Sequence, residues 1–283
     1  MVVSWSSIKT KIILPLVLKV WAIPWVPKIW ASPLFRKAFT RNYTSGKIAL
    51  GEKHSYLRAD PSWITIDIED ADFNIDFRSH EPFPFEPESQ NIIYSCHCIE
   101  HIPNEAILYW LRESYRLLKP GGYIRLEAPD AEKIIAAYKN NDQKFLKYFT
   151  DNNRTHLVET RNYPEIYAED HIAVIGFLSN YQEKIPGHIP VLADKAEVDS
   201  RLQSLNLEEF CQWCVSLQTD EQRASRGHTN PMYYEKIHQL LTEVGFRDIK
   251  RKGNRETEIP KANISGIERK GRGFYSIYVE ARK

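Results

Sequence analysis

Short apolar runs recur along the chain and predict β-strands, because several of them are rich in β-branched and aromatic residues. The segment 47–50 is one of these runs, and Gly51 directly after it suits a turn. Phe73–Phe77 alternates apolar and polar positions, which is the pattern of a strand with one buried face. In total the sequence predicts strands at 47–50, 63–68, 73–77, 91–94, 123–128, 246–251 and 274–281.

Helices are predicted between several of these strands from apolar residues three and four positions apart. One begins near Pro103, ends at Lys119–Gly122, and places on one face Ile107, Leu108, Leu111, Tyr115 and Leu118. Others are expected at 131–149 and at 233–244, where Gly245 follows as a cap. Because strands alternate with helices, the chain is expected to form an α/β fold around a mostly parallel sheet.

Composition limits the classes of protein to which the chain can belong. It has 283 residues, of which 42% are hydrophobic and 27% charged, so it can form a sizeable core. Its net charge of +1 argues against a dedicated nucleic-acid-binding protein, which usually carries a strong basic excess. Four cysteines are too few for a disulfide framework and predict a reduced, cytoplasmic protein. No glycine lies between Gly51 and Gly121, which excludes a normal glycine-rich nucleotide loop there.

The charge is distributed unevenly along the chain. Residues 1–51 contain eight Lys or Arg and no acidic residue, so the rest of the chain carries about −7. The apolar stretch 12–34 is interrupted by Lys19, Lys28 and four prolines, which argues against a membrane-spanning helix and against a signal peptide. Two interpretations stay open for residues 1–45: an arm that packs on the folded domain, or a peripheral contact with an anionic membrane.

The middle of the chain differs from the segments on either side. Residues 151–228 are polar and only weakly periodic, and we expect an insertion or lid over an acceptor site rather than a separate domain. The expected organisation is therefore an N-terminal arm at 1–45, a core formed by 46–150 together with 229–283, and this insertion.

The candidate chemistry lies just after the predicted strands, because ligands of open α/β sheets bind at the carboxyl ends of the strands. Asp67 ends the second strand, where a carboxylate can accept hydrogen bonds from both hydroxyls of a ribose. A single acid at such a position is common by chance, so this signal alone is weak.

A longer run of residues carries a resemblance. The segment 91–130, NIIYSCHCIEHIPNEAILYWLRESYRLLKPGGYIRLEAPD, resembles the central part of class I S-adenosylmethionine-dependent methyltransferases, especially the type 11 group. The segment 63–85 and the terminal sequences LLTEVGFRDIKR and YSIYVEARK are similar to the same group. The resemblance covers about 46–150 and 230–283. It implies a Rossmann-like sheet of seven strands with an antiparallel C-terminal strand, and S-adenosylmethionine as the cofactor.

The resemblance also implies a set of cofactor-binding residues: Gly51, Asp67, Ile68, Asp76, Phe77, Ser95 and Cys96. Gly51 corresponds to the turn under the methionine part of the cofactor. Asp67 corresponds to the ribose-binding acid, and Ile68 packs beside the adenine. Asp76 and Phe77 correspond to the loop near the adenine amino group. The last two residues of the set lie where the cofactor and the acceptor pocket meet.

The first loop departs from the pattern of the group. That loop usually reads L-G-x-G, whereas this chain has Leu50-Gly51-Glu52-Lys53. Lys53 therefore stands in place of the second glycine. A side chain there would crowd the methionine part of the cofactor, because glycine is used where a ligand approaches the backbone closely.

Three polar residues after the fourth strand are candidates for chemistry. His101 could act as a general base for an acceptor hydroxyl, because the pKa of imidazole suits proton transfer near neutral pH. The alternative is a histidine that hydrogen-bonds locally at the start of a helix. Glu100 is expected to be structural and His97 to be a packed side chain.

The cysteines form two pairs, Cys96-x-Cys98 and Cys211-x-x-Cys214, and four thiolates could bind a structural zinc. The first pair lies at the end of a predicted strand, and the second pair lies in an apparently helical stretch, on one face with Trp213 nearby. Buried core thiols are therefore the expectation, and no metal is assigned.

Three functions stay open. The first is methyl transfer from S-adenosylmethionine to a small-molecule, glycan or lipid-linked acceptor, with oxygen as the acceptor atom and an in-line displacement. The second is an inactive protein of the same fold that serves as a binding or scaffold module at a membrane, which Lys53 motivates. The third, a nicotinamide-dependent oxidoreductase, is disfavoured because no glycine fingerprint precedes Asp67.

Overall fold

The structure is a computed structural model of the chain. It describes residues 46–52, 62–160, 162–180, 193–225, 227–260 and 271–283. The expected N-terminal arm, residues 1–45, and Lys53 in the first loop lie outside the described residues.

The strands of the described residues form one sheet. They are Lys47–Leu50 (β1), Ile64–Asp67 (β2), Phe73–Asn74 (β3), Gln90–Cys96 (β4), Leu118–Pro129 (β5), Arg247–Lys252 (β6) and Ser276–Arg282 (β7). Their order is β3-β2-β1-β4-β5-β7-β6. The strands β1 to β5 pair in parallel, and β7 runs antiparallel to both β5 and β6. The predicted α/β sheet with an antiparallel C-terminal strand is confirmed.

Two strands differ from their predicted bounds by three or more residues at one end, and the other differences are of one or two residues. The third strand has only two residues, and β5 begins at Leu118 rather than at Tyr123. The segment 119–122, predicted to be a turn that ends a helix, is part of β5. The pairing with β4 shows that this segment is irregular. Gln90 pairs with Leu118, and Ile92, two residues later on β4, pairs with Tyr123, five residues later on β5. The extra residues of 119–122 therefore form an irregularity within the strand.

Eight α-helices lie within the described residues. They are Asn104–Leu117 (α1), Ala131–Lys139 (α2), Gln143–Asn153 (α3), Asp170–Ser179 (α4), Lys195–Ser204 (α5), Leu207–Ser216 (α6), Asp220–Ser225 (α7) and Tyr234–Val244 (α8). Short helical turns of other types occupy Ile99–His101, Arg154–Glu159 and Glu165–Ala168. Among the described helices, none combines the length and the apolar character that a membrane crossing requires.

The predicted helix 131–149 is in fact two helices. Asn141 adopts a left-handed conformation with φ of 52°, which ends the first helix. The side chain of Asp142 then accepts a hydrogen bond from the backbone N–H of Phe145, at 3.1 Å, and caps the second. The polar residues 140–142 therefore outweigh the helical spacing of the apolar residues around them.

Helices α1 and α8 cover one face of the sheet. Ile107, Trp110 and Leu111 of α1 and Ile237 of α8 are at most 1% exposed and belong to the largest apolar cluster of the described residues. The predicted spacing of the α1 residues explains this packing, because positions three and four apart share one side of a helix. Gly245 ends α8 with φ of 105°, as the sequence predicts for a glycine cap.

A layer of helices lies beyond β5 and has its own apolar cluster. Its central helix is α4, in which eight of the ten residues are buried. A helix that is apolar on all sides is typical of a position surrounded by other helices. Cys211 and Cys214 are buried in this layer, whereas Cys96 and Cys98 are buried beside the sheet.

Candidate functional site

A cavity of about 550 Å³ opens at the carboxyl ends of the parallel strands. It lies beside the change in strand order between β1 and β4, where open α/β sheets bind their ligands. Its volume falls within the range of ~300–1,000 Å³ that is usual for small-molecule sites. Six of the residues predicted from the sequence line it: Gly51, Asp67, Ile68, Asp76, Phe77 and His101.

The turn after β1 and the turn after β4 approach each other closely at Gly51. This residue has φ of 71°, a conformation that favours glycine, and its N–H donates to the carbonyl oxygen of Ile66 at 2.8 Å. A Cβ atom added to Gly51 would overlap the side chain of Cys98. The packing of two segments of the protein therefore requires glycine at this position.

Asp67 and Ile68 form one end of the cavity. Asp67 is half-buried at the end of β2, and one of its carboxylate oxygens accepts a hydrogen bond from the backbone N–H of Ile68, at 2.6 Å. The side chain of Ile68 is 53% exposed, and it is one of three exposed large hydrophobic residues in the part of the chain that the structure describes. A carboxylate and an uncovered apolar surface thus lie side by side in the cavity wall.

The loop after β3 is held in place by an ion pair. Arg78 donates to both carboxylate oxygens of Asp76, at 2.9 Å each, and this bidentate contact lowers the pKa of Asp76. The ring of Phe77 packs edge-on against Phe83 and Trp110, with ring centroids 6.1 and 6.2 Å apart. The carboxylate of Asp76 is therefore satisfied within the loop, and Phe77 ties this part of the cavity wall to the core.

Ser95 and Cys96 are fully buried in β4 and are not among the residues that line the cavity. The wall at this point is formed instead by His97 and Cys98, directly after the strand. Burial raises the pKa of the Cys98 thiol well above its usual value, so this thiol stays protonated.

His101 ends the helical turn after β4 and faces the cavity with its side chain 33% exposed. Its Nδ1 atom lies 3.3 Å from the carbonyl oxygen of Gly227. Its Nε2 atom lies 3.9 Å from a carboxylate oxygen of Glu100. The side chain is thus placed at the cavity wall with one ring nitrogen held by the backbone and the other near a carboxylate.

Beneath His101 lies a buried group of opposite charges. His97 lies between two carboxylates, with Nδ1 3.4 Å from Glu100 and Nε2 3.6 Å from Glu127. Burial disfavours the charged form of His97, but the two carboxylates outweigh this effect and raise its pKa. Burial alone would raise the pKa of Glu100, but His97 and, more weakly, His101 lower it to about 2. Glu100 is therefore ionised at neutral pH.

The opposite wall of the cavity comes from segments that are distant in sequence. Tyr148 and Asn152 lie one turn apart on α3, Phe177 belongs to α4, and Arg272 and Tyr275 precede β7. The ring of Tyr275 contacts the rings of Tyr148 and Phe177, with centroids 6.2 and 5.2 Å apart. These residues make this wall largely aromatic.

Sequence reasoning did not assign roles to these wall residues. Tyr148 lies near the end of the predicted helix 131–149, whereas Asn152 lies beyond that end. The two residues share one face because the observed helix continues to Asn153, which the sequence prediction did not include. Phe177 and Tyr275 carry no sequence signal, because only the tertiary packing brings them together.

Two groups of side chains have the chemistry of metal ligands. They are Cys96, His97 and Glu127, and Glu100, His101 and His228, with the ligand atoms of each group within 4.8 Å of one another. Zinc ligands lie about 2.0–2.3 Å from the ion. Ligand atoms 4.8 Å apart would therefore have to move closer together before they could bind the same ion. His97 also bonds to Ser276, with Nε2 2.9 Å from the hydroxyl oxygen. We interpret both groups as ion-pair and hydrogen-bond networks.

A second cavity, of about 890 Å³, lies in the helical layer away from the strand ends. Its wall includes Tyr138, Lys195 and Asp199. Asp199 accepts hydrogen bonds from the Tyr138 hydroxyl at 2.8 Å and from the Lys195 ammonium at 2.5 Å. Because these groups already satisfy one another, we place the chemistry in the cavity at the strand ends.

Part of the chain matches a known protein family in sequence. Residues 56–126 match the family model described as a methyltransferase domain. The match runs from before β2 into β5 and includes Asp67, Asp76 and His101, whereas Gly51 precedes it. No curated protein matches the chain in sequence.

Several solved structures are distantly similar. A methyltransferase dependent on S-adenosylmethionine from Archaeoglobus fulgidus is 16% identical, with 90% of this chain and 96% of that chain covered and a TM-score of 0.39. A possible histamine N-methyltransferase from Thermotoga maritima is 12% identical, with 90% and 99% covered and a TM-score of 0.39. A third, from Mesorhizobium loti, is 12% identical, with 89% and 98% covered and a TM-score of 0.38.

At these TM-scores the backbones overlap only loosely, so the identification depends on the family match and on the sheet of this chain. The match covers the strands that carry the predicted ribose-binding acid and the candidate base. The sheet has the seven strands and the antiparallel C-terminal strand that the resemblance implies. Residues 56–126 thus match a methyltransferase domain, and the sheet has the strands that the resemblance implies; both findings support an S-adenosylmethionine-dependent methyltransferase with S-adenosylmethionine as its cofactor.

Proposed function

We propose that this methyltransferase acts on an oxygen atom of a small-molecule, glycan or lipid-linked acceptor. The observation that carries the proposal is that a single cavity has Asp67 and Ile68 in one part of its wall and His101 in another. A cofactor held at the first pair and an acceptor held beside His101 would therefore share one cavity. Most of the catalysis in such a reaction comes from holding the two reactants in line and close together.

The residues at the first end fit the cofactor that the family uses. The carboxylate of Asp67 can accept hydrogen bonds from two neighbouring ribose hydroxyls. The exposed side chain of Ile68 offers the apolar surface that an adenine ring needs. Gly51, Asp76 and Phe77 line the same cavity and complete this part of the proposed cofactor site. Ser95 and Cys96 support it from β4, beneath the wall.

The proposed role of His101 is that of a general base. The bound cofactor supplies a methyl group on a positively charged sulfur, which makes the methyl carbon reactive toward an oxygen. The new carbon–oxygen bond would form as the carbon–sulfur bond breaks and its electron pair goes to the sulfur, and the hydroxyl proton of the acceptor would pass to Nε2 of His101. S-adenosylhomocysteine and the methylated acceptor then leave, and His101 returns the proton to water.

The segment 151–228, whose described residues include α4 to α7, is proposed to cover the acceptor. Phe177 of α4 and His228 both line the cavity from this segment. Tyr148 and Tyr275 extend the aromatic wall, which suits the apolar face of a sugar or another ring. We also propose that residues 1–45 bring the enzyme to an anionic membrane, because the basic residues and tryptophans of this arm suit such a surface.

A thermal-unfolding titration with S-adenosylhomocysteine tests the proposal. A ligand at 100 times its Kd stabilises the folded state by about 2.7 kcal/mol, which gives a clear rise in Tm. Asp67→Asn should weaken binding about 10- to 100-fold, because charged hydrogen bonds contribute about 1.5–3 kcal/mol each. Glu81→Gln, at an exposed carboxylate outside the cavity wall, is the matched control and should bind as the wild type does.

The same titration separates the proposal from the alternative, an inactive scaffold with the same fold. The alternative is favoured by Lys53, which replaces a glycine of the usual first loop. A folded wild-type protein whose Tm does not respond to S-adenosylhomocysteine would overturn the proposed activity and support the scaffold.

A further inference from the structure

The helical turn that carries His101 is held by a second segment, residues 227–230, which we call the strap. Two backbone N–H groups of the strap donate to the carbonyl oxygen of Glu100, at 2.9 and 3.0 Å. The side chain of Asn230 donates to the carbonyl oxygen of Ile102, at 3.4 Å. The strap therefore fixes the backbone on both sides of His101.

The strap also contacts the ring of His101 directly. Nδ1 of His101 lies 3.3 Å from the carbonyl oxygen of Gly227. A carbonyl oxygen can only accept a hydrogen bond, so Nδ1 carries the hydrogen. In a neutral imidazole the other nitrogen then has a free lone pair. The contact thus selects the tautomer in which Nε2 is able to take a proton.

His228 of the strap packs against His101 without competing for that proton. The two rings meet edge to face, with centroids 4.7 Å apart and planes at 71°. Nδ1 of His228 lies 3.3 Å from the carbonyl oxygen of Leu178. Burial, with a smaller contribution from the charge of His101, lowers the pKa of His228 to about 3. His228 is therefore neutral at physiological pH and acts as a fixed wall for the neighbouring ring.

Glu100 provides the charge that an imidazolium at position 101 would need. Its side chain is 1% exposed, and one of its oxygens lies 3.9 Å from Nε2 of His101. Both of its oxygens are buried beneath the imidazoles, so an acceptor would meet His101 first. A proton that arrives at Nε2 is therefore placed next to a buried carboxylate.

We propose that the strap is a positioning device for His101, in which the carbonyl of Gly227 holds the ring in the Nδ1–H tautomer and Glu100 stabilises the imidazolium formed when Nε2 takes the proton of the acceptor. The inference rests on the proposed function, because His101 is the base of that reaction. Gly227 and Glu100 are positioning residues, since they act through His101.

The strap is anchored in the helical layer. The N–H of His228 donates to the carbonyl oxygen of Ser179 at 2.8 Å, and the side chain of Gln218 donates to the carbonyl oxygen of His228 at 2.7 Å. A Cβ atom at Gly227 would overlap the amide oxygen of Gln218 and would lie 2.9 Å from the backbone oxygen of Gln222. An alanine at Gly227 therefore displaces either the strap or the Gln218 side chain that anchors it, and we expect the carbonyl of residue 227 to shift away from His101.

Nitrogen-15 NMR of the full-length protein, labelled at its histidines, tests the proposal, because it reports which ring nitrogen carries the hydrogen. Comparison with His101→Gln assigns the signals of His101. At pH 8 we expect His101 in the Nδ1–H tautomer. Gly227→Ala should move its tautomer ratio toward Nε2–H by roughly fivefold, the effect of one ordinary hydrogen bond.

Two controls accompany this measurement. Gly271→Ala places a Cβ where no atom lies within 4 Å, and it should leave the tautomer of His101 unchanged. The signals of His238, on α8, should not change in either variant. If Gly227→Ala does not fold, Asn230→Ala loosens the strap at its other end and should shift the ratio in the same direction.

Two results would overturn the proposal: an Nε2–H tautomer of His101 in the wild type, or an unchanged ratio in a folded strap variant. Titration of the same samples with S-adenosylhomocysteine keeps this test separate from that of the proposed function. Absence of cofactor binding would overturn the methyltransferase activity, whereas the tautomer of His101 would still be measured directly.

Discussion

Replacing Glu100 by glutamine removes the central charge of the buried network and keeps the shape of the side chain. Glu100 is 1% exposed and lies 3.4 Å from His97. In Glu100→Gln, the ring of His97 keeps only Glu127 as a close carboxylate. Removing one partner of a buried ion pair destabilises a protein by about 3–5 kcal/mol. The lowering of the pKa of Glu100 from 4.5 to about 2 corresponds to about 3 kcal/mol, which agrees with the lower end of that range.

Urea unfolding at pH 7 measures this effect. We expect Glu100→Gln to lower the free energy of unfolding by about 3 kcal/mol. The matched control is Glu105→Gln, an exposed acid in the first turn of α1, where the change should stay below about 1 kcal/mol. A loss of less than about 1 kcal/mol in Glu100→Gln would refute the reasoning, because it would mean that Glu100 is not a buried, ionised partner of His97.

The contributions of Glu100 and His97 to the free energy of unfolding depend on pH in opposite directions. The pKa of Glu100 is lower in the folded state than its usual 4.5, so its contribution is present above pH 4.5 and is lost as the pH falls toward about 2. The pKa of His97 is raised, so its contribution is complete below pH 6.5 and is lost as the pH rises through the folded-state value. The stabilisation by the pair should therefore be greatest between pH 4.5 and 6.5. In Glu100→Gln, the part of the fall in the free energy of unfolding between pH 4.5 and about 2 that is due to Glu100 should be absent.

The other expectations concern the first loop and the arm. Gly51→Ala should lower the free energy of unfolding by about 1–3 kcal/mol, because its Cβ would overlap Cys98 and its φ is positive; Gly271→Ala, with positive φ and open space, should lose less. The full-length protein should sediment with vesicles containing phosphatidylserine but not with pure phosphatidylcholine. Replacing the lysines of residues 1–45 by glutamine should abolish this binding, since each basic residue contributes about 1 kcal/mol; binding that survives would contradict the membrane contact.

The sheet was predictable from the sequence because local patterns determine it. Strand and helix periods alternate clearly, and the carboxyl end of β2 identifies Asp67 as a ligand-binding position by simple topology. The break at 140–142 is the kind of feature that local patterns leave uncertain. Asparagine and aspartate compete with the helix through their own side-chain hydrogen bonds, and the apolar spacing on both sides conceals the break.

The buried charges were not predictable, because each depends on partners that are distant in sequence. Arg125 lies in a predicted strand and is completely buried, where it pairs with Glu280 at 2.7 Å across the neighbouring strand. His97 could not be distinguished from an ordinary packed histidine until Glu100 and Glu127 were placed on either side of it. The strap is a further example, since its contact with the candidate base joins residues more than a hundred positions apart.

The geometry of the site favours an active enzyme over an inactive scaffold. Gly51 does not decide between them, because its packing against Cys98 requires glycine whether or not a cofactor binds. The deciding feature is Ile68, which leaves 53% of its side chain uncovered in the cavity wall beside Asp67. The buried charge of Glu100 does not decide between the two functions, because its pairing with His97 stabilises the fold in either case. An adenine ring placed against Ile68 would bury this apolar surface beside the carboxylate that suits a ribose.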